Sequence, residues 1–172
     1  MRVMIVGQPG SGKSWLASEL AGRLGLPLYH MDHIHWQPGW VARPEAEKTA
    51  LAQEIEAQEA WVFEGNYSPT VAHRVARADL VIWLDLPLGL RLWRVTWRKV
   101  TGWGLARPDM APGCPEGLGP EAWAFYRYIW DTRSTGRARL ALVVGLAGPK
   151  LRHMTNRRAV ARFLRDLGAS DK

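Results

Sequence analysis

The run Gly7-Gln8-Pro9-Gly10-Ser11-Gly12-Lys13-Ser14 constrains this chain more than any other feature. It is preceded by the apolar stretch Val3-Met4-Ile5-Val6 and followed by Trp15-Leu16-Ala17-Ser18-Glu19-Leu20-Ala21 at helical spacing. That is a phosphate-binding loop, G-x-x-x-x-G-K-S, in the strand–loop–helix setting it needs. Gly7, Gly10 and Gly12 let the backbone curl until several N–H groups, that of Ser11 among them, face one anion at the positive end of a helix. Lys13 is expected to neutralise the β- and γ-phosphates, and Ser14 to ligate Mg²⁺. The pattern therefore predicts a nucleoside triphosphate site, with ATP and Mg²⁺ as the bound species.

Downstream of the loop, strand and helix alternate. Residues 26–30, 61–63, 80–85 and 150–154 read as strands; residues 44–60, 70–76, 87–100, 121–130, 137–146 and 156–167 read as helices. Such alternation predicts an α/β fold of three layers, α/β/α, around a five-stranded parallel sheet of order 2-3-1-4-5. The 172 residues fit a single phosphate-loop domain spanning 1–172. Residues 33–40 read as a loop set by Pro38 and Gly39, and 101–120 are rich in Gly and Pro. A long irregular stretch inside a compact domain is usually a lid or a linker, so a lid is expected over about 98–137, opposite an acceptor region over about 32–77.

Charge divides unevenly along the chain. Residues 1–90 carry 7 basic and 10 acidic side chains, net −3, whereas 91–172 carry 16 and 6, net +10. An arginine-loaded half suits either a nucleic-acid surface or a set of clamps on a phosphorylated small molecule. The single cysteine, Cys114, excludes an internal disulfide and points to a reducing, cytoplasmic setting. No apolar run is long enough to span a bilayer, and the N-terminus meets Gly and Pro too early for a signal peptide.

GTPases need a guanine-reading Asn-Lys-x-Asp, which is absent. Small-molecule kinases need a second pocket facing the γ-phosphate, arginines, and a lid that excludes water. The expected chemistry is therefore Mg²⁺-dependent transfer of the ATP γ-phosphoryl to a small acceptor (a nucleoside, nucleotide or related hydroxyl compound), by a monomer or homodimer. The alternative is a nucleotide-regulated protein whose basic half lies on nucleic acid.

Beyond the loop, His30-Met31-Asp32, Trp36-Gln37-Pro38-Gly39-Trp40, Trp61 to Tyr67, Leu84-Asp85-Leu86-Pro87, and Arg107 to Glu116 with Gly113-Cys114-Pro115-Glu116 occur in order over about two-thirds of the chain. In these pieces the chain resembles the adenylate-kinase-related phosphate-loop proteins labelled DNA topology modulation proteins. The resemblance implies a nucleoside- or nucleotide-kinase-like core with a mobile lid. It leaves the acceptor open, since the label points to DNA and the fold to small molecules. Two positions depart from the pattern: Glu64 stands where Asp is expected, and Trp15 where Thr or Ser usually follows the loop's serine.

Asp32 and Glu64 each end a strand at the sheet's carboxyl edge, where ligands of this architecture bind. Asp32 is expected to orient the acceptor, accept its proton, or reach Mg²⁺ through water; Glu64 to hold Mg²⁺ through water or bind acceptor. His35, Trp36, Asn66, Tyr67, Arg74 and Arg77 are the other expected acceptor contacts. Trp15 and Arg94 are expected beside the nucleotide. Arg133 and Arg137, one helical turn apart, are expected to close on the transferring phosphoryl. Trp61 and Trp83 read as core, and Trp93, Trp97, Trp123 and Trp130 as packing between helices. His30, His33 and His35 suggest zinc, but nothing completes a site at zinc-ligand spacing.

Overall fold

The computed structural model describes residues 1–104, 109–115, 117 and 119–169. Strand β1 (Arg2–Gly7) enters the glycine loop and then α1 (Lys13–Leu24). Strand β2 (Leu28–His30) turns into a single-turn helix α2 (Met31–His35) and a small hairpin, β3 (Trp36–Gln37) and β4 (Val41–Ala42). Helix α3 (Glu45–Glu56), β5 (Trp61–Glu64), α4 (Ser68–Arg77), β6 (Leu80–Leu84) and α5 (Leu88–Thr101) follow. The chain ends through α6 (Pro120–Asp131), α7 (Thr135–Val144), a 3-10 segment (Gly145–Lys150), β7 (Leu151–Met154) and α8 (Arg157–Ala169).

Five strands form one sheet in the order β2-β5-β1-β6-β7, every pairing parallel. Counting only these five, this is the expected order 2-3-1-4-5. Both faces are covered, which is why the central strands read as unbroken apolar runs rather than alternating ones. Met4 and Val6 face α4 and α7, in a cluster with Trp61, Phe63, Val71, Val75, Leu140 and Val144. Val3 and Ile5 point the other way, toward Leu16 and Leu20 of α1 and Val160 and Leu164 of α8. Trp61 and Trp83 are buried in the core.

Four other tryptophans do not pack helices together as expected. Trp93 and Trp97 on α5 are each 59% exposed, and Trp123 and Trp130 on α6 are 74% and 53% exposed. Trp93 and Trp97 stack on each other instead, with centroids 6.0 Å apart. Among the described residues no helix is long and apolar enough to cross a membrane.

The stretch read as a loop over 33–40 is the helix α2 and the hairpin. Its turn, Pro38-Gly39-Trp40, puts Trp40 at φ 62, the one non-glycine residue with positive φ among those described. The hairpin docks on the segment 109–115: Gly39 N–H donates to the Gly113 carbonyl at 2.9 Å, and Trp40 Nε1–H to that of Pro115 at 3.3 Å. Met110, Ala111 and Cys114 pack against Trp36 and Trp40 there. Arg107, Pro108 and Glu116, within the stretch expected to form a lid, lie outside the described residues.

Candidate active site

All five parallel strands end at one edge, and a cavity of about 1270 Å³ opens there. That exceeds the roughly 300–1,000 Å³ of a pocket for one small ligand, so it has room for two. Its floor is the phosphate loop. Gly10 has φ 78, and a Cβ there would run into the Arg91 carbonyl, so only glycine lets the loop pass this close to α5. Gly12, at φ 92, caps α1 in the left-handed conformation with no side-chain cap. The N–H groups of the first turn are thus left for an anion. Gly10, Gly12, Lys13, Ser14 and Trp15 line the cavity, Trp15 with 58% of its surface exposed. Gly7 and Ser11 are buried beneath it.

Asn66 clamps the loop from β5's end: its Nδ2–H donates to the Gly7 carbonyl at 2.8 Å, and its Oδ1 accepts from Gly7 N–H at 3.2 Å. On the other side Arg94 Nη1 donates to the Ser11 carbonyl at 2.8 Å. Burial, and secondarily Arg157, hold the Arg94 pKa below the usual guanidinium range; it remains charged.

Glu64 joins the loop to β2. It is 2% exposed, and its Oε1 accepts from Ser14 Oγ at 3.1 Å. His30 Nδ1 lies 2.8 Å from the same oxygen; with Glu64 ionised, that nitrogen carries the proton and donates. The reach of Glu in place of Asp is what brings the carboxylate to the loop's serine. A hydroxyl and a carboxylate side by side are hard oxygen donors of the kind Mg²⁺ takes, so the residues fit that ion. Among the described residues there is no group of three or more His, Cys, Asp or Glu side chains suited to holding a metal. His30 was not expected in the site. The sheet order would have revealed it, since β2 pairs with β5 and sets His30 beside Glu64.

Gly65, at φ 115, presses against Met31, where a Cβ would collide with the Met31 side chain. This close approach brings α2 alongside β5 and places Asp32, His35 and Trp36 on the cavity wall. Burial and Lys48 hold the His35 pKa below its ordinary value, against a smaller opposing pull from Asp32.

Three expected acceptor contacts lie elsewhere. Tyr67 is buried, its hydroxyl paired with Thr49 Oγ1 at 2.7 Å and the Glu45 carbonyl at 3.3 Å. Arg74 is wholly buried against Glu56. Arg77 reaches the Ala57 carbonyl and Glu59 on the outside of α4. The 3.6-residue repeat of α4 accounts for both arginines, because it turns these positions toward α3 rather than the sheet edge.

Arg133 and Arg137 also depart from expectation. They line a separate cleft of about 340 Å³ with Gln8, Asp85 and Arg91. Arg133 stacks on its own Trp130, with its guanidinium 4.4 Å from the ring centre. Arg137 forks onto Asp85, which also meets His153 Nε2 at 3.1 Å. Burial alone would raise the Asp85 pKa; Arg137 and His153 outweigh it and hold the carboxyl below the usual range. A depressed carboxyl adds stability that is fully present above its unfolded pKa of about 3.9, and loses it as pH falls through the folded value. Asp85→Asn should therefore cost up to about 1 kcal/mol at neutral pH, a modest figure because Arg137 is largely exposed. The difference from wild type should shrink below about pH 4, as read by denaturant unfolding across pH.

No protein-family model matches the sequence, and no curated protein matches it significantly. Solved structures do. Shikimate kinase from Bacteroides thetaiotaomicron superposes with TM-score 0.61 at 16% identity, covering 99% of this chain and 97% of that one. The fold is shikimate-kinase-like. The enzyme from Acinetobacter baumannii, solved with shikimate, gives 0.59 at 19% identity over 99% and 94% of the two chains. That from Aquifex aeolicus gives 0.54 at 15% over 99% and 98%. These likenesses support the kinase-type fold implied by the adenylate-kinase-related resemblance, and none of them bears on DNA.

Proposed function

We propose that this chain is a phosphate-loop kinase that transfers the γ-phosphoryl of ATP to a hydroxyl of a small molecule. The observation that carries the reading is a single cavity lined by the phosphate loop's Lys13 and Ser14 and also by the carboxylates of Asp32 and Glu64. The fold neighbours, one of them solved with shikimate, are consistent with a small acceptor.

In this reading the N–H groups of the loop and α1 hold the triphosphate, and Lys13 meets the charge that spreads over the γ-oxygens during transfer. Ser14 and Glu64 would hold Mg²⁺, which supplies neutralisation of the β- and γ-oxygens. Asp32 orients the acceptor hydroxyl and takes its proton as the new O–P bond forms. The bond from the γ-phosphorus to the bridging oxygen breaks, and ADP leaves. Asn66 and Arg94 keep the loop in register. Most of the acceleration comes from positioning.

ADP release measured with and without Mg²⁺ and candidate acceptors tests this reading. Glu64→Gln keeps the side chain's size and removes its charge. It should raise the Mg²⁺ concentration for half-maximal transfer by roughly tenfold or more, since two charge-assisted contacts are weakened. Unchanged Mg²⁺ dependence would remove Glu64 from the metal's surroundings.

A further inference from the structure

The cleft that holds Arg133 and Arg137 lies beside the phosphate loop, apart from the main cavity, and the kinase reading makes no use of it. We propose that this cleft is a second anion site, which takes free phosphate or a small phosphate ester on Arg91 and Arg133 and, when filled, weakens nucleotide binding at the loop. The site stands on its own residues, and only its effect on nucleotide rests on the kinase reading.

A buried cation without a counterion is the first argument. Arg91 is only 2% exposed, yet no carboxylate among the described residues pairs with it. Its guanidinium makes one long hydrogen bond, from Nη1 to the Pro9 carbonyl at 3.4 Å, and its Nε is buried with no partner. Such a group is costly to bury unless an anion meets it. Burial pulls the Arg91 pKa down, with Asp85 the opposing influence, and the guanidinium stays charged. Asp85 is the one acid among the described residues lining the cleft, and its oxygens are already held by Arg137 and His153. Arg133 adds a guanidinium that meets only the carbonyl and ring of Trp130. Three arginines against one carboxylate leave the lining positive.

Helix α5 supplies the second argument. It runs for 14 residues, and Pro87 and Leu88 at its start line the cleft. Its first turn carries no acidic residue and no side chain caps it. The helix's first backbone bond is Arg91 N–H to the Pro87 carbonyl, so the N–H groups of residues 88–90 precede the ladder and are left for an anion. A phosphate in the cleft meets both the positive end of the helix and the buried guanidinium. The cleft's volume of about 340 Å³ sits at the lower end of small-ligand pockets, which suits phosphate or a small ester rather than a nucleotide. Arg91 also ties the cleft to the loop. Its guanidinium meets the Pro9 carbonyl, and its own carbonyl bars a side chain at Gly10. Gln8 Nε2 donates to the Thr132 and Arg133 carbonyls at 3.0 and 3.1 Å. A filled cleft therefore sets negative charge beside the loop and cancels the field of Arg91, so the triphosphate binds less tightly.

Calorimetric titration of inorganic phosphate into the full chain tests this, at constant ionic strength and with the loop filled by Mg²⁺ and a non-hydrolysable ATP analogue. Phosphate should bind with a Kd of about 1 mM or tighter, and Arg91→Met and Arg133→Gln should each weaken it by at least about tenfold. Arg91→Met strands no carboxylate, since Asp85 keeps Arg137 and His153, so its thermal midpoint without phosphate should hold or rise. Should that variant not fold, Arg133→Gln, on an exposed side chain, carries the test. Methyl phosphate titrated in parallel separates the two sources: tighter binding than phosphate names an ester as the occupant, and weaker binding names free phosphate. Increasing phosphate should lift the Kd of the ATP analogue to a plateau about fivefold higher, an effect that Arg133→Gln removes. Direct competition at the loop would instead lift that Kd without limit, and equally in the variant. No binding to the wild type, binding that both variants leave unchanged, or competition without a plateau would each overturn the proposal. A chain that bound no nucleotide would sink the kinase reading, while the phosphate titration would still decide the site.

Discussion

Lys13→Ala is expected to lower kcat/KM for phosphoryl transfer by roughly a thousandfold, about 4 kcal/mol of transition-state stabilisation, with the protein still folded. The size follows from where the ammonium stands. Lys13 opens α1 directly after Gly12 and lines the cavity beside Ser14. In the proposed reaction it would meet the oxygens on which charge accumulates during transfer, and removing it would also take away part of ground-state nucleotide binding. Alanine is a better helix former than lysine, so α1 should be intact and the thermal midpoint within a few degrees of wild type. Steady-state kinetics alongside thermal unfolding separates the two effects. Transfer at the wild-type rate would mean that the cavity does no phosphoryl chemistry.

The parts legible in the sequence are those fixed by local chemistry. The glycine loop reads correctly because Gly10 and Gly12 hold backbone that other residues resist. The sheet reads correctly because strands buried on both faces must be continuously apolar, as Val3 to Val6 and Leu80 to Leu84 are. The hidden parts depend on contacts between distant segments. His30 gains meaning only because β2 pairs with β5 and delivers it to Glu64. Arg133 and Arg137 have the spacing of a phosphate clamp. Nothing local announces that Asp85, 52 residues before Arg137, will take up its guanidinium. The hairpin at Trp36–Ala42 is hidden for another reason: a tryptophan in left-handed backbone runs against every local preference, and the docked 109–115 segment compensates for it.

Arg74 shows most clearly how a residue of the right type near the site can serve the fold instead, and it carries the largest expected effect on stability. Its guanidinium is fully buried: Nε donates to Glu56 Oε1 at 3.0 Å, Nη1 to the Gly65 carbonyl at 3.0 Å, and Nη2 to Thr70 Oγ1 at 3.3 Å. It also lies 4.0 Å above the Phe63 ring. Burial pushes its pKa down, and Glu56 and then Glu64 oppose that. Arg74→Met fills a similar space but strands the buried Glu56 carboxylate, leaving it only His73 at 2.6 Å. Breaking one side of such a pair costs about 3–5 kcal/mol, or roughly 10 °C of thermal midpoint for a chain of this size. The Gly65 carbonyl loses its donor at the same time, directly after Glu64. Adding Glu56→Leu should recover much of the loss, since removing both charges leaves no stranded ion. Had Arg74 been an acceptor ligand, the single variant would raise the acceptor KM with its midpoint unmoved. Unfolding and acceptor titration on the single and double variants decide between the two roles, and the buried pair with Glu56 predicts loss of stability first.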